Sequence, residues 1–236
     1  MDTNKNLYTV IYSIIMVVVV AVVLALAAYL LKDRQQRNIE IETKDMILRS
    51  AGLASQAESA ADYASYIEGE YDKYITDTTV TSGGESLPLH ISRKDGESFY
   101  ILPLRGTGLW GPIWGYITLM NDFNTVHGIV FDHKGETPGL GAEIKTSEFS
   151  DQFKGKKLFE GTNFVSVLVV KGGTGAIDPH KVDAISGGTI TSKGVEDMLK
   201  SSISKYLEYF NSNKINPAEV SDSTFINLPD TTGQNK

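Results

Sequence analysis

The decapeptide DAISGGTITS at 183–192 puts small residues and hydroxyls side by side just ahead of an amphipathic run. In that run Val195, Met198, Leu199, Ile203, Tyr206, Leu207 and Phe210 recur at helical spacing with charges between them. A glycine-rich turn feeding a helix N-terminus gathers free backbone N–H groups at the positive end of the helix dipole. That setting favours an anion, phosphate above all. The same residues also read as a plain N-cap, with Thr191 or Ser192 simply starting the helix. The local pattern supports both readings.

Three other stretches could carry chemistry. GTGLWGPIWGYI at 106–117 interleaves glycines and Pro112 with Trp110 and Trp114. It reads as a loop entering a strand, with tryptophans serving as packing bulk or as a flat surface for a partner or a ring-shaped cofactor. HKGETPGLGAEI at 133–144 is a long loop in which Gly135, Pro138, Gly139 and Gly141 make tight turns. Such a loop lets main-chain N–H groups approach a ligand closely, and Glu136, Thr137 and Glu143 add polar atoms. KGGTGAIDPHKVD at 171–183 follows an apolar run, yet it lacks the G-x-x-x-x-G-K-[ST] pattern of a phosphate loop. No G-x-G-x-x-G opens a helix after a strand, and no G-x-S-x-G elbow is present. Nothing in the sequence pairs two carboxylates across a site, so glycosidase chemistry has no footing.

The elements that must position these stretches follow from composition and period. The chain has 236 residues, enough for one generous globular domain with an appendage. Its net charge is −7 and no basic run offers a footprint for a phosphate backbone, so no nucleic-acid partner is expected. With no cysteine, disulfides, thiolate catalysis and iron–sulfur ligation are excluded within the chain. His90, His127, His133 and His180 show no metal-ligand spacing.

Residues 8–31 carry no charge and are long enough to span a bilayer as a helix. The run is too long for a signal-peptide core, although ALA at 25–27 resembles a cleavage site, so a retained single-pass anchor is expected. Lys5 precedes the span, while Lys32, Arg34 and Arg37 follow it. By charge count alone the C-terminal domain would lie on the cytoplasmic side. A short flank at 1–7 precedes the anchor. A helical connector at 32–78 follows, with helices near 40–51 and 55–75 broken around Gly52. Residues 76–90 read as a polar, glycine-bearing loop. From about 97, ESFYILPL, IWGYITLM, TVHGIVFD and NFVSVLVV read as strands, with Pro103 and Gly128 weakening two of them as central strands. The expected fold class is α+β: a transmembrane helix, then one domain at 79–212 with a mainly antiparallel sheet and flanking helices. A polar tail at 213–236 ends the chain.

Taken together, these motifs resemble the FMN-binding domain family. DAISGGT is similar to its flavinylation motif Asp-x-x-Ser/Thr-Gly-Ala-Thr/Ser: Asp183, Ser186 and Gly187 match, Gly188 stands where alanine is usual, and Thr189 matches the acceptor. GETPGLGAE is similar to the loop near the flavin ring. GLWGPIWGY and the N-terminal span point, within that family, to the NqrC proteins of Na⁺-translocating NADH:quinone oxidoreductases, with the RnfG proteins of Rnf complexes as the near alternative. The resemblance implies FMN joined covalently through its phosphate to Thr189 by a flavin transferase, and electron relay from NADH towards quinone coupled to Na⁺ export. It implies the other subunits of that complex as partners, the cell inner membrane as location, and a domain on its outer, periplasmic side, against the charge count. Under it, Gly187 and Gly188 let the backbone close on the phosphate and Thr191 and Ser192 donate to it. Thr137 bonds the ring's polar edge, Leu140 covers its face, Lys171 offsets charge near the flavin, and Asp183 is read by the transferase. A cofactor-free single-span sensor is the rival of another class.

Overall fold

The computed structural model describes residues 6–214, apart from 95, 174 and 176; the flank at 1–5 and the tail at 215–236 lie outside the described residues. The chain divides into two compact units, residues 1–44 and 45–236.

Helix α1 (Asn6–Ser50) includes the whole apolar stretch. Its side chains at 9–40 are exposed on every side, and its apolar part is long enough to cross a membrane. A helix apolar all round suits lipid rather than water as its surroundings. The expected separate helix at 40–51 is instead the end of α1, because neither proline nor glycine interrupts residues 8–50. The stop does come at Gly52. Its φ of +70° supports paired bonds from Gly52 N to Arg49 O (3.0 Å) and Leu53 N to Leu48 O (2.8 Å), which close the last turn as a Schellman cap. Helix α2 (Tyr63–Tyr74) begins later than the expected 55, where Asp62 accepts from Ser65 N and caps it.

The expected loop at 76–90 is a correction: it forms most of a β-hairpin. Strands β1 (Ile75–Ser82) and β2 (Glu85–Lys94) pair in full register around Gly83 and Gly84, both left-handed. Strands β3 (Glu97–Thr107), β4 (Pro112–Leu119) and β5 (Val126–His133) complete an antiparallel meander in chain order. Pro103 is tolerated because the β2–β3 ladder ends at His90↔Ile101, before reaching it. Gly128 is needed rather than merely tolerated: a Cβ there would lie 2.4 Å from Ser50 O, where the end of α1 meets the sheet.

Both sheet faces are covered. Leu102, Leu104, Ile113, Ile117 and Phe131 share one core with helix α4 (Thr189–Ser204) and helix α5 (Leu207–Lys214). On the opposite face Thr118 Oγ1 meets Ser50 Oγ at 2.8 Å. The periodic residues Val195, Met198, Leu199, Ile203, Tyr206 and Phe210 are all buried, while Leu207 is half-buried. α4 lies close to β3: a Cβ on Gly194 would sit 2.4 Å from Thr107 O, and one on Gly106 2.6 Å from Met198 Cβ.

Between the meander and α4 the chain turns irregular. It forms a short helix α3 (Ser147–Asp151), an antiparallel pair β6 (Phe159–Glu160) and β7 (Asn163–Phe164), and a parallel pair β8 (Leu168–Val170) and β9 (Lys181–Asp183). The expected single strand NFVSVLVV is therefore split. Ser166 adopts a left-handed φ of +63° between β7 and β8, which ends one strand and re-aims the next.

Candidate functional site

The turn at 183–192 ends in α4 earlier than its hydroxyls suggest. Gly188 is the N-cap, Thr189 the first helical residue, and the first intrahelical bond runs from Ser192 N to Gly188 O (2.8 Å). The backbone N–H groups of Thr189, Ile190 and Thr191 precede that bond. The Thr189 side chain is exposed beside them. The N-cap reading of Thr191 or Ser192 is thus corrected: both lie buried in the first turn. Ser192 Oγ accepts from Ile185 N at 3.1 Å and so fastens the turn to the helix. The Thr191 hydroxyl donates to Glu136 Oε2 at 2.6 Å.

Glu136 ties the three glycine-rich stretches together. It is 5% exposed, and its other oxygen accepts from Trp110 N at 2.8 Å. Gly108 and Gly141 make room for it: a Cβ would fall 2.5 Å from Oε1 at the first and 2.3 Å from Oε2 at the second. The loop it heads is compact. Thr137 O accepts from Leu140 N and Ala142 N, both at 3.1 Å, and Gly139 N donates to Glu143 Oε1 at 2.9 Å. Leu140 reaches the flavinylation-like turn, where a Cβ on left-handed Gly187 would lie 2.5 Å from Leu140 Cδ2. The structure therefore brings Thr137, Leu140, Gly187, Gly188, Thr189 and Thr191 into one neighbourhood.

A cavity of about 760 Å³ opens beside it, lined among others by Gly139, Phe149, Gln152, Lys156, Asp183 and Ser186. Asp183 is a strut of this wall: its Oδ1 accepts from Gly175 N (3.0 Å) and its N–H donates to Gln152 Oε1 (2.8 Å). Lys156, only 8% exposed, donates to Gly175 O (2.5 Å) and Asp178 O (2.8 Å), tying both carbonyls to the wall from within. Lys181 hydrogen-bonds to Asp178, and with the His180 N–H it holds that carboxyl below the ordinary range. Lys171 stands exposed past the end of β8 and does not line the cavity.

An exposed hydroxyl at the N-terminus of a helix, where the first backbone N–H groups precede the intrahelical ladder, fits a phosphate, and a cavity of this size fits a ring system. Sequence reasoning passed over Gln152 and Lys156 and treated Glu136 only as a source of polar atoms. The one available signal was the pair of glycines at 108 and 141 that cradle Glu136.

Comparison with known proteins places the chain in a family. The FMN-binding domain family matches residues 108–204. The NqrC protein of the Na⁺-translocating NADH-quinone reductase from Vibrio vulnificus YJ016 is 31% identical, over 72% of this chain and 80% of that one. The corresponding protein from Haemophilus ducreyi is 31% identical, over 75% and 81%. The crystal structure of its counterpart from Parabacteroides distasonis superposes with a TM-score of 0.67 at 40% identity, covering 76% of this chain and 96% of that one. NqrC from Shewanella oneidensis, at 24% identity, shares the fold with a TM-score of 0.64 over 77% and 99%.

Proposed function

Because this chain belongs to the NqrC family of Na⁺-translocating NADH-quinone reductase subunits, we propose that it carries FMN as a phosphoester on Thr189 and relays electrons from NADH towards quinone within that complex. The exposed Thr189 hydroxyl at the first position of α4 carries the reading. Attachment forms one Oγ–P bond and breaks one P–O bond of a flavin-nucleotide donor; the threonine proton leaves with the departing group. A dedicated flavin transferase performs this step.

FMN supplies the electron-carrying chemistry, and the protein supplies its position and surroundings. The N–H groups of Thr189, Ile190 and Thr191 face the phosphate, where the helix dipole favours negative charge. Gly187 and Gly188 keep the turn free of side chains next to it. Ser186 and Asp183 line the cavity beside the turn, while Leu140 and Thr137, from the loop next to it, would hold the ring. Lys171, outside the cavity, offsets charge at long range. The apolar part of α1 anchors the protein in the cell inner membrane, with the domain on the periplasmic side. Trp110, 68% exposed, and Trp114 face neighbouring subunits of the complex.

The test is the intact mass of the full chain, extracted from membranes of cells that contain a flavin transferase, followed by peptide mapping. The expected gain is the mass of FMN less one water on the peptide holding Thr189. Thr189→Ala is expected to lose all covalent flavin while folding normally. An unmodified parent chain, or in-gel flavin fluorescence persisting in Thr189→Ala, overturns the assignment.

A further inference from the structure

Glu136 does not line the cavity, yet it is a buried carboxylate between the loops and the helix that carry the site. Both of its oxygens are used by donors from different parts of the chain. One is the backbone N–H of Trp110 in the β3–β4 loop, the other the hydroxyl of Thr191 in the first turn of α4. Its own N–H donates to His133 Nδ1 (3.2 Å) at the end of β5. Thr191 is 1% exposed, so that hydroxyl proton has no route to solvent. A Cβ at 108 or 141 would collide with the carboxylate, so two glycines are committed to seating it. Such enclosure makes each bond costly to lose, because a stranded donor finds no water.

We propose that Glu136 is the positioning residue of the flavin site. It locks the loop at 108–111, the loop at 136–141 and the first turn of α4 into one arrangement, so that the flavin carried by the helix and the loops that flank it keep a fixed relation. This rests on the assignment of FMN to Thr189. Gln at this position can keep both contacts, its oxygen accepting from Trp110 N while its amide donates to the rotated Thr191 hydroxyl, so it does not test the lock. Glu136→Met keeps the unbranched length and removes both acceptors. Thr191→Val removes one of the two bonds at constant shape.

Three measurements on the full chain test this. The first is the intact mass, which reports whether FMN is attached. The second is the fluorescence anisotropy of the attached flavin, which reports whether the ring is held. The third is hydrogen exchange at the Trp110 amide in protein made without a flavin transferase. Glu136→Met is expected to retain FMN, because Thr189 itself is untouched, and to lose flavin anisotropy towards the value of a freely turning flavin. The Trp110 amide is expected to exchange about tenfold faster, the equivalent of one net hydrogen bond. Thr191→Val should reproduce the anisotropy loss and leave the Trp110 amide protected. Ile203→Val, a core truncation at the far end of α4, should change neither readout.

Unchanged anisotropy and unchanged Trp110 exchange in Glu136→Met overturn the proposal, as does an equal loss in Ile203→Val. If the parent chain carries no FMN, the assignment to Thr189 has failed, and the positioning role falls with it. Trp110 exchange still shows whether the lock itself exists.

Discussion

The meander at 75–133 and the segment at 134–191 are held together in different ways. The meander is a run of matched ladders, in full or nearly full register at β1–β2, β3–β4 and β4–β5 and over a shorter stretch at β2–β3, above a shared apolar core. The later segment has strands of two or three residues. Single polar side chains fasten it by gripping backbone: Asn124 Oδ1 accepts from Leu158 N and Phe159 N, Lys156 holds two carbonyls, Gln152 accepts from Asp183 N, Asp183 accepts from Gly175 N, and Glu196 accepts from Val169 N. A ladder shares its load among many equivalent bonds, so losing one is tolerated. A pin has no neighbour to replace it, so its loss rearranges a particular loop. The sheet should govern whether the domain folds, and the pins should govern whether the site has the right shape.

The sharpest way to break that division is a lesion in the sheet. Leu102 is fully buried in β3 under α4, and Leu102→Ala is expected to cost about 2–5 kcal/mol in urea unfolding. FMN per folded chain should stay at the parental level. A folded Leu102→Ala chain with depleted flavin would show that sheet and site are not separable.

Next in size is a lesion in the pins. A Cβ at Gly141 would lie 2.3 Å from Glu136 Oε2 and 2.5 Å from Thr191 Oγ1. Gly141→Ala therefore overpacks a buried polar contact at a cost of about 1–3 kcal/mol. Here the flavin readout should suffer out of proportion to stability, reversing the pattern of Leu102→Ala. Thermal melts and flavin anisotropy on the same samples decide it.

Asp122 tests the joint between the two regions. It lies in the β4–β5 turn, beside the Asn124 that grips 158–159. Burial pushes its carboxyl up, but bonds from Thr125 Oγ1 (2.6 Å), Thr125 N (2.8 Å) and Asn124 N (2.9 Å), together with Lys157, leave it below the ordinary range. A carboxyl lowered in the folded state adds stability above its unfolded pKa of about 3.9 and loses it as pH falls through the lower folded value. Asp122→Ala should then cost about 1 kcal/mol at neutral pH, the scale of one net hydrogen bond, and nothing in strong acid. Urea unfolding from neutral to acid pH reads this directly; a cost that persists in acid would assign the effect to packing instead.

The two regions also differed in how far the sequence revealed them. Period exposed the regular parts: the apolar span, strands β3 to β5 and the buried face of α4. β1 and β2 were overlooked because Thr76, Thr78 and Ser86 gave a polar appearance to an edge hairpin whose Gly83-Gly84 turn was in plain view. In the site, the motif residues around Thr189 were legible through resemblance. The pins were not, since Glu136, Gln152 and Lys156 each act once, at no period, on backbone atoms far away in sequence. NFVSVLVV misled for the same reason: its composition is that of a strand, and the left-handed Ser166 leaves no mark in composition.

The smallest expected effect separates two adjacent glycines. Gly187 has a φ of +74° and faces Leu140 Cδ2, so alanine there meets both backbone strain and a collision, costing about 1 kcal/mol. Gly188 has a φ of −101°, which any residue adopts, and its Cβ would meet Ile185 Cγ2 at 2.9 Å. Ile185, half-buried, can turn that methyl aside, and its Cβ at 3.2 Å and the Leu140 carbonyl carbon at 3.3 Å require a shift of only a few tenths of an ångström. Gly188→Ala also narrows the unfolded ensemble, a gain of about 0.4–1 kcal/mol that offsets the displaced methyl. The net change should lie within about 0.5 kcal/mol, with FMN loading as in the parent. Alanine and glycine at this position would then be two solutions of the same turn. A Gly188→Ala chain that loses flavin would mean instead that Ile185 cannot move, and that the glycine is matched to this particular packing of the turn against Leu140.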